Sequence, residues 1–460
     1  MCPHSEASII RLGEKKMSTS LRERFIESKS NLLFAVSVFW FAVRVIPKPS
    51  RIMYPCQRTT LSIIFAELGI GIGATCFTLT KFAKQKLVKL LMISVLLIHL
   101  CLPFALAGYY SARYWILSQG RIQYGITNNM VIRVHSSAAT NWDFSTGYYW
   151  EAVDQTVVNQ MVEEGVKAFT GVADAQTAWQ TILTGYMPGD IVGIKVNGND
   201  MPGFTNNQNY INTLPQLINA VINGVTSIGV PETDVWVIEP TGSSNGYRSF
   251  YAYYYTLING LYPGVHLLDR DDISFGSNPE LRVSFPYTGD LYITDQMAEI
   301  DHLINIPIMK AITTYWGITG AIKSMQGNIQ NQIGLHDHLG RTTADNPNVL
   351  IYQNQHIINK TRLIVGDGLF GMWTGMHFPE SSHDIPQPWQ TFSNDAPNSL
   401  FFARDPVAID CVMVDYINAE RTERGLSSLP DPQLQAGAAA GLGTRDHAPY
   451  SDIEYVDIEL

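Results

Sequence analysis

From Ile191 to Ala419 the chain alternates short apolar runs with stretches whose apolar residues recur at helical spacing. An apolar run of four to eight residues bounded by turn formers reads as a buried strand. An amphipathic stretch between two such runs returns the chain for a parallel neighbour. The expected fold is therefore α/β, with a mostly parallel sheet flanked by helices. Gly189 and Asp190 turn into a strand at Ile191 to Val196. A helix should follow, with Thr213 as N-cap, Pro215 in the first turn, Leu217, Ile218, Val221, Ile222 and Val225 on its apolar face, and Gly229 at its end. The next strand is Asp234 to Glu239, completing a strand–helix–strand unit.

Further strands are expected at Met130 to His135, Val265 to Leu268, Leu303 to Met309, Arg362 to Val365 and Ser399 to Ala403. Helices are expected at Val153 to Ala168, at Ala173 to Leu183, and from Asp405 and Pro406 through Ala419, with Asp405 as N-cap. "TGSSNGYRSFYAYYY" suggests a loop and a tyrosine-rich helix, and Asp269 to Asp290 a polar excursion. The aromatic run Trp142 to Trp150 should pack over a neighbouring surface. There is no internal repeat.

The segment Leu303 to Gly340 concentrates chemistry. Its apolar run ends in Lys310, small residues follow at Gly317, Thr319, Gly320 and Ala321, then Lys323, and His336, Asp337 and His338 close it. Apolar sequence expected to be interior thus ends in cations and imidazoles, and buried charge is expensive unless it is paired or used. Ligands in open α/β sheets sit outside the carboxyl ends of the strands. Lys195 lies within its strand, while Asn197, Asn199, Asp200, Lys310 and Asp367 lie at or just beyond expected strand ends. Asn and Asp also form turns, and for a single residue that reading weighs as much as function.

On an extended backbone His336 and His338 would present two imidazoles on one face, a geometry that suits a divalent metal with Asp367, Asp405 or another histidine as further ligands. Flanking Gly334 and Gly340 also fit an exposed loop with solvated histidines. His377 and His383 lie in a proline-rich stretch that reads as surface loop. Gly366, Gly368 and Gly371 spell G-x-G-x-x-G, but "MWTGMHFPESSHDIPQPW" after them is not a helix. A dinucleotide is not expected, and the glycines would let the chain turn at Asp367. Asp410 stands among Val407, Cys411 and Val414, so its carboxylate should be buried and call for a cation, with Lys323 and Lys195 the candidates.

Before residue 109 lie three apolar runs, Asn31 to Ile46, Leu61 to Thr80 and Leu87 to Ala107. Lys81, Lys84, Lys86 and Lys89 precede "LLMISVLLIHLCLPF", and "ALAG" follows, a basic, apolar, A-x-A order that marks a signal peptide. The positive-inside rule then puts residues after Gly108 outside the cytoplasm. Residues 1–108 read as a cleaved signal region or as up to three membrane helices, and residues 109–460 as the α/β domain. A net charge of −10 argues against nucleic acid as a partner. Of five cysteines only Cys411 lies in the main domain, so no cysteine-held zinc or iron–sulfur cluster is expected there.

Several pieces in order, "GDIVGIKVN", "LINIPIMK", "GITGAIKSMQGNI", "LIVGDGLFGM" and "FFARDPVAIDCVMVDYI", resemble the domain of unknown function 362 family. The resemblance covers most of Trp142 to Leu460 and implies an α/β fold and a site location rather than a reaction. Many family members carry ferredoxin-type cysteine clusters, which this chain lacks. The family pattern reads Lys-Asn after "TGA-I", where this chain has Lys323 and Ser324.

The combined expectation is an extracytoplasmic enzyme with one cleft at the strand ends. Lys195, Asn197, Lys310 and Asp410 would form the ligand site, with Lys323, Asp367 and His336 as catalytic groups. The ligand would be anionic or carbonyl-bearing, with His336 and His338 as metal ligands if a metal assists. The rival expectation is a non-catalytic protein that uses the same cleft to hold an anion or a surface polymer.

Overall fold

The computed structural model describes residues 129–198, 209–240, 255–313, 316–374 and 385–460, all within the compact unit Leu117–Leu460. The expected N-terminal apolar runs, Asn199, Asp200, most of the tyrosine-rich helix, His377 and His383 lie outside the described residues.

The strands are β1 (Met130–His135), β2 (Ile191–Val196), β3 (Val235–Ile238), β4 (His266–Leu268), β5 (Arg282–Phe285), β6 (Gly289–Tyr292), β7 (Ile300–Ile306), β8 (Ile308–Thr313), β9 (Gly317–Ile318), β10 (Thr361–Met372), β11 (Ser399–Ala403) and β12 (Glu454–Glu459). The helices used below are α1 (Gln155–Thr170), α2 (Ala175–Ile182), α3 (Pro215–Ser227), α4 (Gly320–Ser324), α5 (Pro347–Tyr352), α6 (Pro406–Glu423) and α7 (Pro432–Ala439). The main sheet runs β12-β1-β11-β10-β7-β2-β3-β4, with β8 and β9 continuing beside β10. Every strand on the main path runs parallel except β11, which is antiparallel to both β1 and β10.

Because successive side chains of a strand point to opposite faces, one run serves two cores. Ile132, Val192, Ile194, Ile304 and Leu363 pack with α1, α2 and α3, while Val131, Leu303, Ile364 and Phe401 pack with α4, α5 and α6 on the other side. Both faces are covered, which is why these strands read as unbroken apolar runs. Trp142, Tyr149 and Trp150 are buried, and Phe370 meets Trp142 and Tyr149 edge-on.

Four expectations change. The run Leu303 to Met309 is two strands, because Pro307 separates β7 from β8, and its carbonyl receives the Asp367 N–H. β10 extends to Met372 rather than stopping at Val365, so the chain does not turn at Asp367. Its glycines answer to packing: a Cβ at Gly366 would stand 2.8 Å from Met413 Sδ, and one at Gly368 2.9 Å from a Phe401 ring carbon. The stretch Asp269 to Asp290 holds most of an antiparallel hairpin, β5 with β6. Finally, Leu214 and not Thr213 occupies the N-cap of α3. The Thr213 hydroxyl instead donates to Ile306 O and receives Asn197 N–H, tying the ends of β2 and β7 together. Asp405 does cap α6, taking Val407 and Ala408 N–H.

Candidate functional site at the carboxyl ends of the central strands

Lys195 is the penultimate residue of β2, in register with Ile238 of β3 and Asn305 of β7. Its side chain is 1% exposed. The ammonium donates to Val196 O at 2.5 Å and to Glu239 Oε2 at 3.2 Å, and the same Glu239 oxygen receives Gly198 N–H at 2.8 Å. Burial pushes the Lys195 pKa below its ordinary value, and the Glu239 carboxylate opposes that push. Asn305, wholly buried, donates to Ala321 O at 3.0 Å and accepts from Ser324 Oγ at 2.6 Å, fastening α4 onto β7.

α4 begins without a capping side chain of its own; Asp410 of α6 supplies the acceptors. Its carboxylate receives Ala321 N–H at 2.5 Å and Ile322 N–H at 3.1 Å, which answers amides that a helix start leaves unpaired. Burial drives the Asp410 pKa up to about 8 against those two hydrogen bonds, with Asp405 adding to the rise. The expected cation for Asp410 is thereby corrected: it rests on backbone amides, while Lys195 is engaged by Glu239. Lys323 is half-buried on α4.

Asp367 occupies the other face of the sheet. Its Oδ2 receives Leu214 N–H at 2.9 Å, at the start of α3, and Oδ1 receives Leu369 N–H at 3.2 Å. Burial raises its pKa to about 6 against those amides. Asn197, half-buried, is joined to Thr213 beside it: its carbonyl receives Thr213 N–H and its own N–H donates to the Thr213 hydroxyl. Lys310, 7% exposed, lies on β8 in register with Met372. The structure therefore divides the predicted set. Lys195 and Asp410 join Glu239, Asn305 and Ser324 on the α4–α6 side, and Asp367 and Asn197 join Thr213 at the foot of α3.

His336 and His338 lie on a 3-10 helix, Gln332–His338, not on the extended backbone that would align them. A 3-10 turn advances about 120° per residue, so residues two apart point in different directions. The His336 ring lies against Trp316 and that of His338 stacks on Tyr287 with centroids 3.7 Å apart. Among the described residues, no group of three or more His, Cys, Asp or Glu side chains is placed to hold a metal ion. Gly366, Gly368 and Gly371 lie inside β10, not at a strand-to-helix turn.

Sequence reasoning missed Glu239, Asn305 and Ser324. An acid directly closing a buried strand and an amide inside "LINI" were the available signals. The chain has no match among curated proteins. Residues 192–415, from β2 into α6, match the family described as domain of unknown function (DUF362). They span the Lys195–Glu239 pair, α4 with its Asp410 cradle, and Asp367. This part of the chain, residues 192–415, is a member of the domain of unknown function 362 family.

Proposed function

We propose that this chain is an extracytoplasmic α/β protein whose main domain is an enzyme. It acts on an anionic or carbonyl-bearing small molecule at the carboxyl ends of β2, β3 and β7. The observation that carries this reading is the buried Lys195–Glu239 pair at those ends. A fully buried ion pair is seldom a net stabiliser, and a desolvated lysine beside a carboxylate is suited to accept or hand on a proton. Lys323, half-buried on a helix anchored from beneath by Asn305 and Asp410, attracts the ligand's negative charge, and Lys310 adds a second cation. Asp367 serves the start of α3 and takes no step in this mechanism.

The test is a thermal-shift screen of phosphate esters, carboxylates and carbonyl compounds on the full chain and on Lys323→Met. A ligand shift that vanishes in the variant, with the ligand-free melting temperature unchanged, is the expected result. An undiminished shift refutes the role of Lys323, and mass spectrometry of the recovered ligand shows whether it turns over.

One observation favours a non-catalytic binding protein as the second reading. Asp367 and Asp410, both buried, are each taken up by helix amides. A ligand that binds and returns chemically unchanged supports it. The external location and membrane attachment rest on the lysines ahead of Leu90–Phe104 and the small residues after it. Among the described residues no helix is long and apolar enough to cross a membrane. Protease treatment of intact cells tests the location: a protected main domain would overturn it.

A further inference from the structure

The end of the chain, from Gly443, is a strap with two fastenings. At its far end β12 adds in parallel to β1, and buried Arg133 of β1 bonds Asp457 at 2.8 Å and Glu459 at 3.3 Å. At its near end the His447 ring stands between two carboxylates from different elements. Nδ1 is 2.7 Å from Asp415 Oδ1 of α6, and Nε2 is 3.2 Å from Asp431 Oδ2, just before α7.

A neutral imidazole has one donor and one acceptor, so either tautomer would set a lone pair against a carboxylate. Only the imidazolium satisfies both contacts. We propose that residues 443–460 form a releasable strap, locked by the His447 imidazolium and loosened when that ring loses its proton.

The surrounding charges agree. From α6 come Asp415 and the buried Cys411, whose thiol burial keeps neutral. From the α7 side come Asp431 and Gln435, the latter donating to Asp431 Oδ1. The strap itself brings Arg445, bonded to Asp431, together with Asp446 and Tyr450. Two carboxylates against one nearby guanidinium favour the charged ring, and its pKa is pushed up to about 9, the Asp415 and Asp431 hydrogen bonds outweighing burial. Asp431 is held down to about 2 by its bonds to His447, Arg445 and Gln435.

A raised histidine pKa contributes stability that is complete below its ordinary 6.5 and lost as pH rises through about 9. A lowered Asp431 pKa contributes stability that is complete above 3.8 and lost as pH falls through about 2. The lock is therefore whole near neutrality and opens on the alkaline side, from the His447 end. Thr444 N–H, in the same strap, covers Asp405, which opens the helix carrying Asp410, so loosening reaches the cradle of α4. This inference is independent of the proposed enzymatic activity.

Hydrogen exchange on the full chain tests it, with protection corrected for intrinsic rate between pH 6 and 10 and β11 as internal control. Protection of residues 444–459 should fall about ten-fold between pH 7 and 10, less than the full pKa displacement allows because the ring is partly solvated. His447→Gln should abolish the step, and Asp431→Asn should move its midpoint to lower pH. A strap whose protection is constant from pH 7 to 10, or a step that persists unchanged in both variants, overturns the proposal.

Discussion

The Asp410 carboxylate stands where a side chain at Gly320 would have to go: a Cβ there would lie 2.3 Å from Asp410 Oδ1. Gly320 also sits at φ +45°, which side-chain-bearing residues rarely adopt. The small residues of "GITGAIK" thus admit a carboxylate from α6 to the first amides of α4. Gly320→Ala is expected to cost about 2–4 kcal/mol, adding left-handed strain to a displaced buried acceptor. Urea unfolding checks it; a loss under about 0.5 kcal/mol would mean that the cradle tolerates a methyl group.

Asp410 makes stability depend on pH in a definite direction. Its pKa is raised from 3.8 to about 8 in the folded protein, so its contribution is complete below about 4 and lost as pH rises through 8. Asp410→Asn offers only one acceptor to two amides and should be the less stable protein near pH 5. The gap should then narrow as pH rises, by at most about 1.4 kcal/mol per unit. Unfolding free energies of both proteins at pH 5, 7 and 9 decide the point, and a gap that widens with pH contradicts it.

Lys195 and Glu239 should show strong coupling. Lys195→Met leaves a buried carboxylate without its cation and Glu239→Gln a buried ammonium without its anion, each costing about 3–5 kcal/mol. The double variant should recover a large part of that loss, because it removes both charges. A double-mutant cycle measures the coupling directly. Simple additivity would mean that the two side chains do not depend on one another.

Asp367→Ala removes the acceptor of Leu214 N–H at the foot of α3. The expected penalty is about 1–3 kcal/mol, with exchange rising first in the opening turn of α3. Uniform loss of protection across the whole sheet would instead assign Asp367 to the core as a whole.

What the sequence determined by itself is local and periodic. β1, β2 and β11 fall within the residues expected, the α6 cap at Asp405 is where its side chain can reach the first amides, and the parallel α/β class follows from the alternation. Those features depend on neighbours close in the chain, or on a pattern repeated along it. Lys195 was legible as a candidate within its strand and Asp367 as one at a strand end, but not that the pleat sends them to opposite faces, since that depends on which strands sit beside β2 and β10. Nor could a local pattern show that Asp410 would find amides 89 residues earlier, or that Glu239 would find Lys195 44 residues away. His336 and His338 carry the same lesson: spacing fits either an extended or a helical backbone, and packing against Trp316 and Tyr287 accompanies the helical one. Partners for buried charge are chosen by distance in space, which only the assembled sheet and its helices define.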